Sequence, residues 1–240
     1  MEFEKAKTEL QELGYSILAN IYSENEVSEI FKCLEKSKPN SDKTQDNKDV
    51  FAIRQLINQV PELSKVLFNK NLIQLLNTLF DSHYFLTKAI YFDKPPKSNW
   101  FVSYHQDLSI SVNKKVEVEN YINWTFKKGQ YGVQPPAKIL EDTNTIRIHL
   151  DDTGANNGAL KVIPKSHSKG IIRHDSKGWG LENEHTCNVN KGGVMLMKPL
   201  TLHSSNRTTN NKRRRVIHLE FNNQDLETPL NWLEKVKITN

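Results

Sequence analysis

The sequence predicts a mainly β protein, a sandwich or barrel with flanking N-terminal helices. Three observations carry that expectation. Apolar residues follow a helical period up to about residue 82 and a strand period after it. Short apolar segments then recur to about residue 222, separated by turn signals such as Asn156-Asn157-Gly158 and Pro164-Lys165-Ser166. Helices first and strands afterwards suit a sheet architecture whose helices gather on one side. At 240 residues, with 37% hydrophobic and 25% charged content, the chain has material for one sizeable core, so a single domain over 1–240 is expected.

Along the chain, Glu2 to Leu13 has helical spacing and stops at Gly14, after which Tyr15-Ser16-Ile17-Leu18 reads as a short strand. Ser23 precedes an acidic first turn, Glu24-Asn25-Glu26, and the apolar stripe Val27, Ile30, Phe31, Leu34, which marks a capped helix. Residues 38–50 are polar and turn-rich and read as a mobile loop. Helical patterning resumes over Asn58–Phe68 and Leu72–Phe80. A strand is expected over His83–Phe92, stopped by Asp93-Lys94-Pro95-Pro96. Further strands are expected at Phe101–Val112, Thr145–Leu150, Ala159–Ile163, Gly193–Met197 and Arg215–Phe221. The excursion from Asn113 to Thr143, which carries Trp124, Phe126 and Tyr131, is long for a compact domain and reads as a lid or as a packed surface hairpin.

The bulk numbers exclude several classes of function. No apolar run approaches the length of a membrane span, and the start, Met1-Glu2-Phe3-Glu4-Lys5, lacks a secretory h-region. Cys33 and Cys187 are far apart and form no metal-binding pair, which fits reduced thiols in a cytoplasmic protein. The net charge of +5 raises the question of nucleic acid. The cations are scattered apart from Lys212-Arg213-Arg214-Arg215, and no binding motif accompanies them, so no nucleic-acid partner is expected. A basic balance instead favours a small, anionic substrate. Oligomeric state is left open.

The densest chemical signal is Tyr104-His105-Gln106-Asp107. On a strand, residues two apart share a face, so His105 and Asp107 point together. An imidazole beside a carboxylate supplies two members of the two-His, one-carboxylate triad of non-haem iron, and the third must arrive from elsewhere. Alone, this pair is commonplace, because many histidines simply hydrogen-bond a nearby carboxylate. His203 changes the weight of it. The apolar run Val194-Met195-Leu196-Met197 ends near Pro199, and Thr201-Leu202-His203-Ser204-Ser205 then presents a histidine among small polar residues. Eleven residues on, Arg214 opens the next apolar strand. A dicarboxylate that chelates the metal through a 2-oxo acid end needs a cation for its far carboxylate, and arginine provides it as a fork. Arg213 and Arg215 read as a solvated basic turn.

Taken together these residues resemble the phytanoyl-CoA dioxygenase family of iron(II)/2-oxoglutarate oxygenases. The pieces that fit, in order, are Leu13-Gly14-Tyr15-Ser16-Ile17-Leu18, Lys94-Pro95-Pro96, His105-Gln106-Asp107 and Leu150-Asp151-Asp152. Asn157-Gly158-Ala159-Leu160, Ile163-Pro164-Lys165-Ser166-His167 and His203 with Arg214 complete the series. The resemblance implies a double-stranded β-helix (jelly-roll) core over about 83–222. His105, Asp107 and His203 would hold Fe(2+), and Arg214 would hold the distal carboxylate of 2-oxoglutarate, with O2 as the second co-substrate. Gln106 and Ser205 match further co-substrate contacts. Arg147 stands where relatives often carry tryptophan, and could meet either the co-substrate or the substrate. Because Asp107 is a carboxylate rather than a small residue, the resemblance implies hydroxylation of a C–H bond, with release of succinate and CO2, rather than halogenation. Desaturation, epimerisation or cyclisation at the same centre, and a non-catalytic jelly-roll binding protein, are the alternatives.

Other titratable residues have plain structural readings. His149 is expected to be a hydrogen-bonded core histidine, and His167 and His218 to be structural. Asp151-Asp152 reads as a strand-end turn, and His83, His174 and His185 carry no partner pattern.

Overall fold

The computed structural model describes residues 1–36, 51–96, 98, 100–172 and 179–238. The expected loop over 38–50 lies outside the described residues, and so does His174. The N-terminal elements are α1 (Glu2–Leu13), β1 (Tyr15–Leu18), α2 (Glu24–Lys36), β2 (Phe51–Arg54), α3 (Leu56–Gln59), α4 (Ser64–Leu67) and α5 (Lys70–Leu79). Ser23 caps α2 reciprocally: its backbone N–H donates to Glu26 Oε2 at 2.7 Å, and Glu26 N–H donates to Ser23 Oγ at 3.3 Å. Asn69 caps α5 by accepting from Leu72 N–H at 2.8 Å. The helix expected over Asn58–Phe68 is instead two single turns, α3 and α4, joined by a 3-10 turn at Pro61–Leu63. Pro61 has no N–H to continue a ladder, so the pattern breaks there.

The strands that follow are β3 (Phe85–Lys94), β4 (Val102–His105), β5 (Ile110–Val112), β6 (Ile122–Lys127) and β7 (Gln130–Gln134). After α6 (Ala137–Asp142) come β8 (Asn144–His149), β9 (Leu160–Val162), β10 (His185–Thr186), β11 (Val194–Met197), β12 (His203–Ser205), β13 (Arg214–Asn222) and β14 (Val236–Lys237). A large antiparallel sheet runs β1-β11-β8-β13-β3-β14, with β2 also pairing β3, and a smaller one runs β10-β9-β12-β4. Strand β3 continues through Asp93 and Lys94, which pair with Arg215 and Arg214 of β13. The chain therefore stops at Pro95 rather than at Asp93, because both charged residues are satisfied inside the sheet. The single strand expected over Phe101–Val112 is two: β4 joins the small sheet, and β5 joins a separate three-stranded sheet ordered β5-β7-β6.

Each face of the large sheet has its own role. Ile146, Ile148, Val194, Leu196, Ile217, Leu219 and Phe221 cluster with buried residues of α1, α2 and α5. That outer face is the main core. On the opposite face Met195 and Met197 pack with Leu160 and Val162 of the small sheet, so the two sheets face each other there. The period of two then puts Arg147 and His149 of β8, Arg214, His218 and Glu220 of β13, and Lys88 and Lys94 of β3 on this inner face. An inner face so rich in charge is the layout of a site.

The segment 113–143, expected to be a lid or a packed hairpin, is ordered. The β6–β7 hairpin and α6 pack through Tyr121, Val133, Ile139 and Leu140 against Leu226, Leu230 and Trp232, and Phe126 lies on Tyr131 with ring centroids 4.7 Å apart.

Candidate metal centre

His105 closes β4 and His203 opens β12, and the two residues are direct cross-strand partners. Their rings are 4.2 Å apart between centroids. Asp107 follows where the chain leaves β4, held by its N–H to Pro199 O at 2.9 Å. Its two carboxylate oxygens each lie 3.7 Å from an imidazole Nε2, Oδ1 from His105 and Oδ2 from His203. The three ligand atoms lie within 4.8 Å of one another, the one such His/Cys/Asp/Glu group among the described residues.

The orientation of the two rings is imposed from behind. His105 Nδ1 is 2.9 Å from Ser103 O, and His203 Nδ1 is 2.8 Å from Thr201 O. A carbonyl can only accept, so each Nδ1 carries a proton and each Nε2 is turned to the common point, where the neutral ring offers the lone pair that metal ligation needs. Burial alone would raise the Asp107 carboxyl, but the His203 and His105 imidazoles outweigh it and hold Asp107 below the usual carboxylate range. Burial lowers His203 to about 4. The His203 side chain is 4% exposed while Asp107 keeps 32%, so the cluster is closed on one side and open on the other. Two neutral imidazoles and one carboxylate, preoriented and open on one side, fit an octahedral first-row metal with free positions.

Behind the triad lies an excess of positive charge. Arg214 is half-buried; its Nη1 donates to Gly158 O, and its Nε has no partner among the described residues. Lys94 Nζ donates to Trp100 O at 2.9 Å and Asn206 O at 3.0 Å. Burial and then repulsion by Arg214 push Lys94 down to about 8, and burial and then Arg147 push Arg214 down to about 9. A guanidinium stays charged near neutral pH, so these cations repel one another and an anion held among them would offset the repulsion. His149 Nδ1 is 2.8 Å from Thr153 Oγ1, as expected of a core histidine, but its Nε2 has no partner among the described residues, and burial with Arg147 and Arg214 keeps it neutral.

The remaining candidates divide. Ser205 lies beside Arg214: its hydroxyl donates to Gly158 O at 2.9 Å. Gln106 is a correction. Its amide nitrogen donates to Gly170 O and Leu200 O at 2.8 and 2.7 Å, and its oxygen accepts from Ile172 N–H at 2.8 Å. With His105 and Asp107 on one side, the residue between them faces the other, and it ties loops together instead of meeting a co-substrate. Arg213 and Arg215 are corrections too. Arg213 forks onto buried Asp93 at 2.6 and 2.7 Å, and Arg215 onto Asp151 at 2.8 and 2.6 Å with its guanidinium 3.8 Å from the Phe31 ring centre. Both are paired rather than solvated, and Asp151 is an ion-pair partner as well as a turn residue.

Sequence reasoning missed the line Arg147–His218–Glu220–Lys88. Arg147 Nη1 is 3.1 Å from His218 Nδ1, His218 Nε2 is 2.9 Å from Glu220 Oε1, and Lys88 Nζ is 2.8 Å from the same oxygen. The signal was present in the alternation Arg214, Val216, His218, Glu220, which places three polar groups on one face of an apolar strand.

The sequence profile of phytanoyl-CoA dioxygenase (PhyH) matches residues 10–216. No curated protein matches the chain in sequence. Among solved structures, EctD from S. alaskensis, with 2-oxoglutarate and 5-hydroxyectoine, superimposes with a TM-score of 0.68 at 17% identity, over 94% of this chain and 78% of EctD. The non-haem alpha ketoglutarate dependent carbocyclase SnoK, from nogalamycin biosynthesis, gives 0.66 at 16% identity over 92% and 84%. HygX from Streptomyces hygroscopicus, with nickel, 2-oxoglutarate and hygromycin B, gives 0.64 at 14% over 91% and 86%. At these identities the likeness establishes the fold, that of 2-oxoglutarate-dependent non-haem enzymes, while the profile, covering most of the chain and both ends of the triad, establishes the family: the chain belongs to the phytanoyl-CoA dioxygenase family.

Proposed function

We propose that this protein is an Fe(II)- and 2-oxoglutarate-dependent dioxygenase that hydroxylates a C–H bond of a small-molecule substrate. The observation that carries the reading is the convergence of two backbone-oriented imidazole Nε2 atoms on one carboxylate. When bound, iron with 2-oxoglutarate and O2 supplies the oxidising power, with succinate and CO2 as co-products. The chain's own part is positioning. His105, Asp107 and His203 hold the metal. Arg214, with Lys94 close by, takes the distal carboxylate, and Gly158 O and Ser205 set the place of the Arg214 fork. Met195, Met197 and Val162 wall the inner face with apolar side chains and limit water.

A second reading keeps the centre and changes the outcome to ring closure or desaturation. The carbocyclase SnoK shares the fold, and the residues so far described serve either outcome.

The test is an anaerobic titration with Fe(II) and 2-oxoglutarate, following the visible charge-transfer band of the chelate. The wild type develops the band, His105→Ala abolishes it and Arg214→Ala weakens it. A wild type that binds iron but shows no band with 2-oxoglutarate removes the co-substrate assignment.

A further inference from the structure

Arg147 is the charge on the inner face that the proposed chemistry leaves unused. It is 9% exposed, and among the described residues it makes no ion pair. Its one hydrogen-bond partner there is His218 Nδ1, at 3.1 Å. In that contact the guanidinium donates and His218 Nδ1 accepts, while His218 Nε2 donates to Glu220 Oε1 at 2.9 Å. Glu220 is in turn occupied by Lys88 Nζ at 2.8 Å. The line therefore fixes Arg147 in place without neutralising it.

The other neighbours do not neutralise it either. Asp107 lies close enough to attract the guanidinium but is already shared by two imidazoles and proposed as a metal ligand. The nearby Cys187 thiol is pushed up to about 12 by burial and stays uncharged. Arg214 and His149 on the same face are like-charged or neutral. Leaving a buried cation without an anion is costly, and proteins retain such groups where a ligand supplies the counter-charge.

2-Oxoglutarate has two carboxylates, and the proposed site accounts for both: one end chelates the metal and the other meets Arg214. A further anion is needed. With Nη1 on His218, the free edge of Arg147 is the Nε side, and Nε has no partner among the described residues. One guanidinium edge matches one carboxylate in charge and in two-point geometry. A phosphate dianion would call for additional cations, and Lys88 is already committed.

Building on the co-substrate reading above, we propose that Arg147 is a specificity-determining residue that binds a carboxylate of the primary substrate, held in position by His218 and Glu220. The protein then acts on small carboxylic acids and discriminates against their uncharged analogues.

The test uses two measurements on wild type, Arg147→Met and Arg147→Lys. The first is calorimetric titration of 2-oxoglutarate into Mn(II)-loaded protein. The second is a thermal-shift screen of a paired library, small carboxylic acids and their primary amides, on protein already loaded with Mn(II) and 2-oxoglutarate. In the first, both variants bind 2-oxoglutarate within about threefold of wild type. In the second, acids but not amides stabilise wild type, Arg147→Met loses the acid shifts, and Arg147→Lys, which keeps the charge but not the fork, retains them weakly. A tenfold or greater loss of 2-oxoglutarate binding in either variant would assign Arg147 to the co-substrate and overturn the proposal. So would acids and amides that shift wild type alike, or no acid that shifts it. Failure of the underlying reading shows separately, as a wild type that does not bind 2-oxoglutarate in the first titration.

Discussion

Substituting Gly158 by alanine tests whether the cationic end of the site is held by the backbone turn beneath it. Gly158 has φ +83°, and a methyl group there would lie 2.7 Å from Lys94 Nζ, 3.0 Å from Asn206 O and 3.2 Å from Ser205 Oγ. The left-handed backbone costs alanine about 1 kcal/mol. The contact with Lys94 is below van der Waals distance, so the ammonium must swing away from Asn206 O or Trp100 O, and losing a charged hydrogen bond adds about 1.5 kcal/mol. The sum is about 2–3 kcal/mol, a fall in Tm of roughly 5–10 °C for a chain of this size. Gly158 O is also the acceptor for Arg214 Nη1 and Ser205 Oγ, so displacing the turn misplaces the Arg214 fork. We expect 2-oxoglutarate binding to Mn(II)-loaded protein to weaken about tenfold, a loss of about 1.4 kcal/mol. Gly129→Ala is the control. Gly129 has φ +76° with nothing within 4 Å of its added methyl, so it carries the backbone term alone and leaves 2-oxoglutarate binding unchanged. Differential scanning calorimetry and isothermal titration on the two variants decide the matter. A Gly158→Ala protein that melts and binds like Gly129→Ala would refute the account of a backbone-held anion site.

Gln106→Ala removes three main-chain hydrogen bonds from a buried side chain, so Tm should fall by an amount equal to about 2–4 kcal/mol while 2-oxoglutarate affinity stays within twofold; a selective loss of affinity would restore Gln106 to the site. Arg213→Ala strands Asp93, which is 3% exposed and keeps only the Tyr91 hydroxyl at 3.2 Å among the side chains described, and should cost about 2 kcal/mol in urea unfolding; an unchanged midpoint would show the pair to be inert. Glu234 is raised from 4.5 to about 7 by burial, so the folded state holds its proton where the unfolded state has released it. Its contribution is complete below pH 4.5 and is lost as pH rises through 7. Glu234→Gln should therefore stabilise the protein by about 2 kcal/mol at pH 8 and by nothing at pH 4, and an equal gain at both would rule out titration as the cause.

What could be read without the fold was whatever local period and chain order encode. Helices before strands, the Gly14 stop and the Ser23 cap depend on neighbours within a turn. His105 with Asp107 depends on the two-residue repeat of a strand. His203 after an apolar strand and Arg214 opening the next one depend on the order in which strands enter the sheets. The same two-residue repeat placed Gln106 on the opposite face from its neighbours, so that misassignment was avoidable. Pro61, too, declared the helix break in the sequence itself.

The ion pairs were decided elsewhere. Asp93 and Arg213 are 120 residues apart, and Asp151 and Arg215 are 64 apart, so no local pattern distinguishes them from solvated charges. The division of Phe101–Val112 between two sheets arises because its halves find different partners, His203 for one and Val133 for the other. Above all, the state of Arg147 is tertiary. Its sequence position shows an arginine on an apolar strand, where the family resemblance leaves open whether it meets the co-substrate or the substrate. Only the pairing of β8 with β13 sets His218 against it, and only Glu220, itself paired with Lys88, holds that imidazole in place from behind. Side-chain period is local and survives in the sequence, whereas charge compensation depends on which distant groups share a buried face, and that is fixed when the sheets assemble.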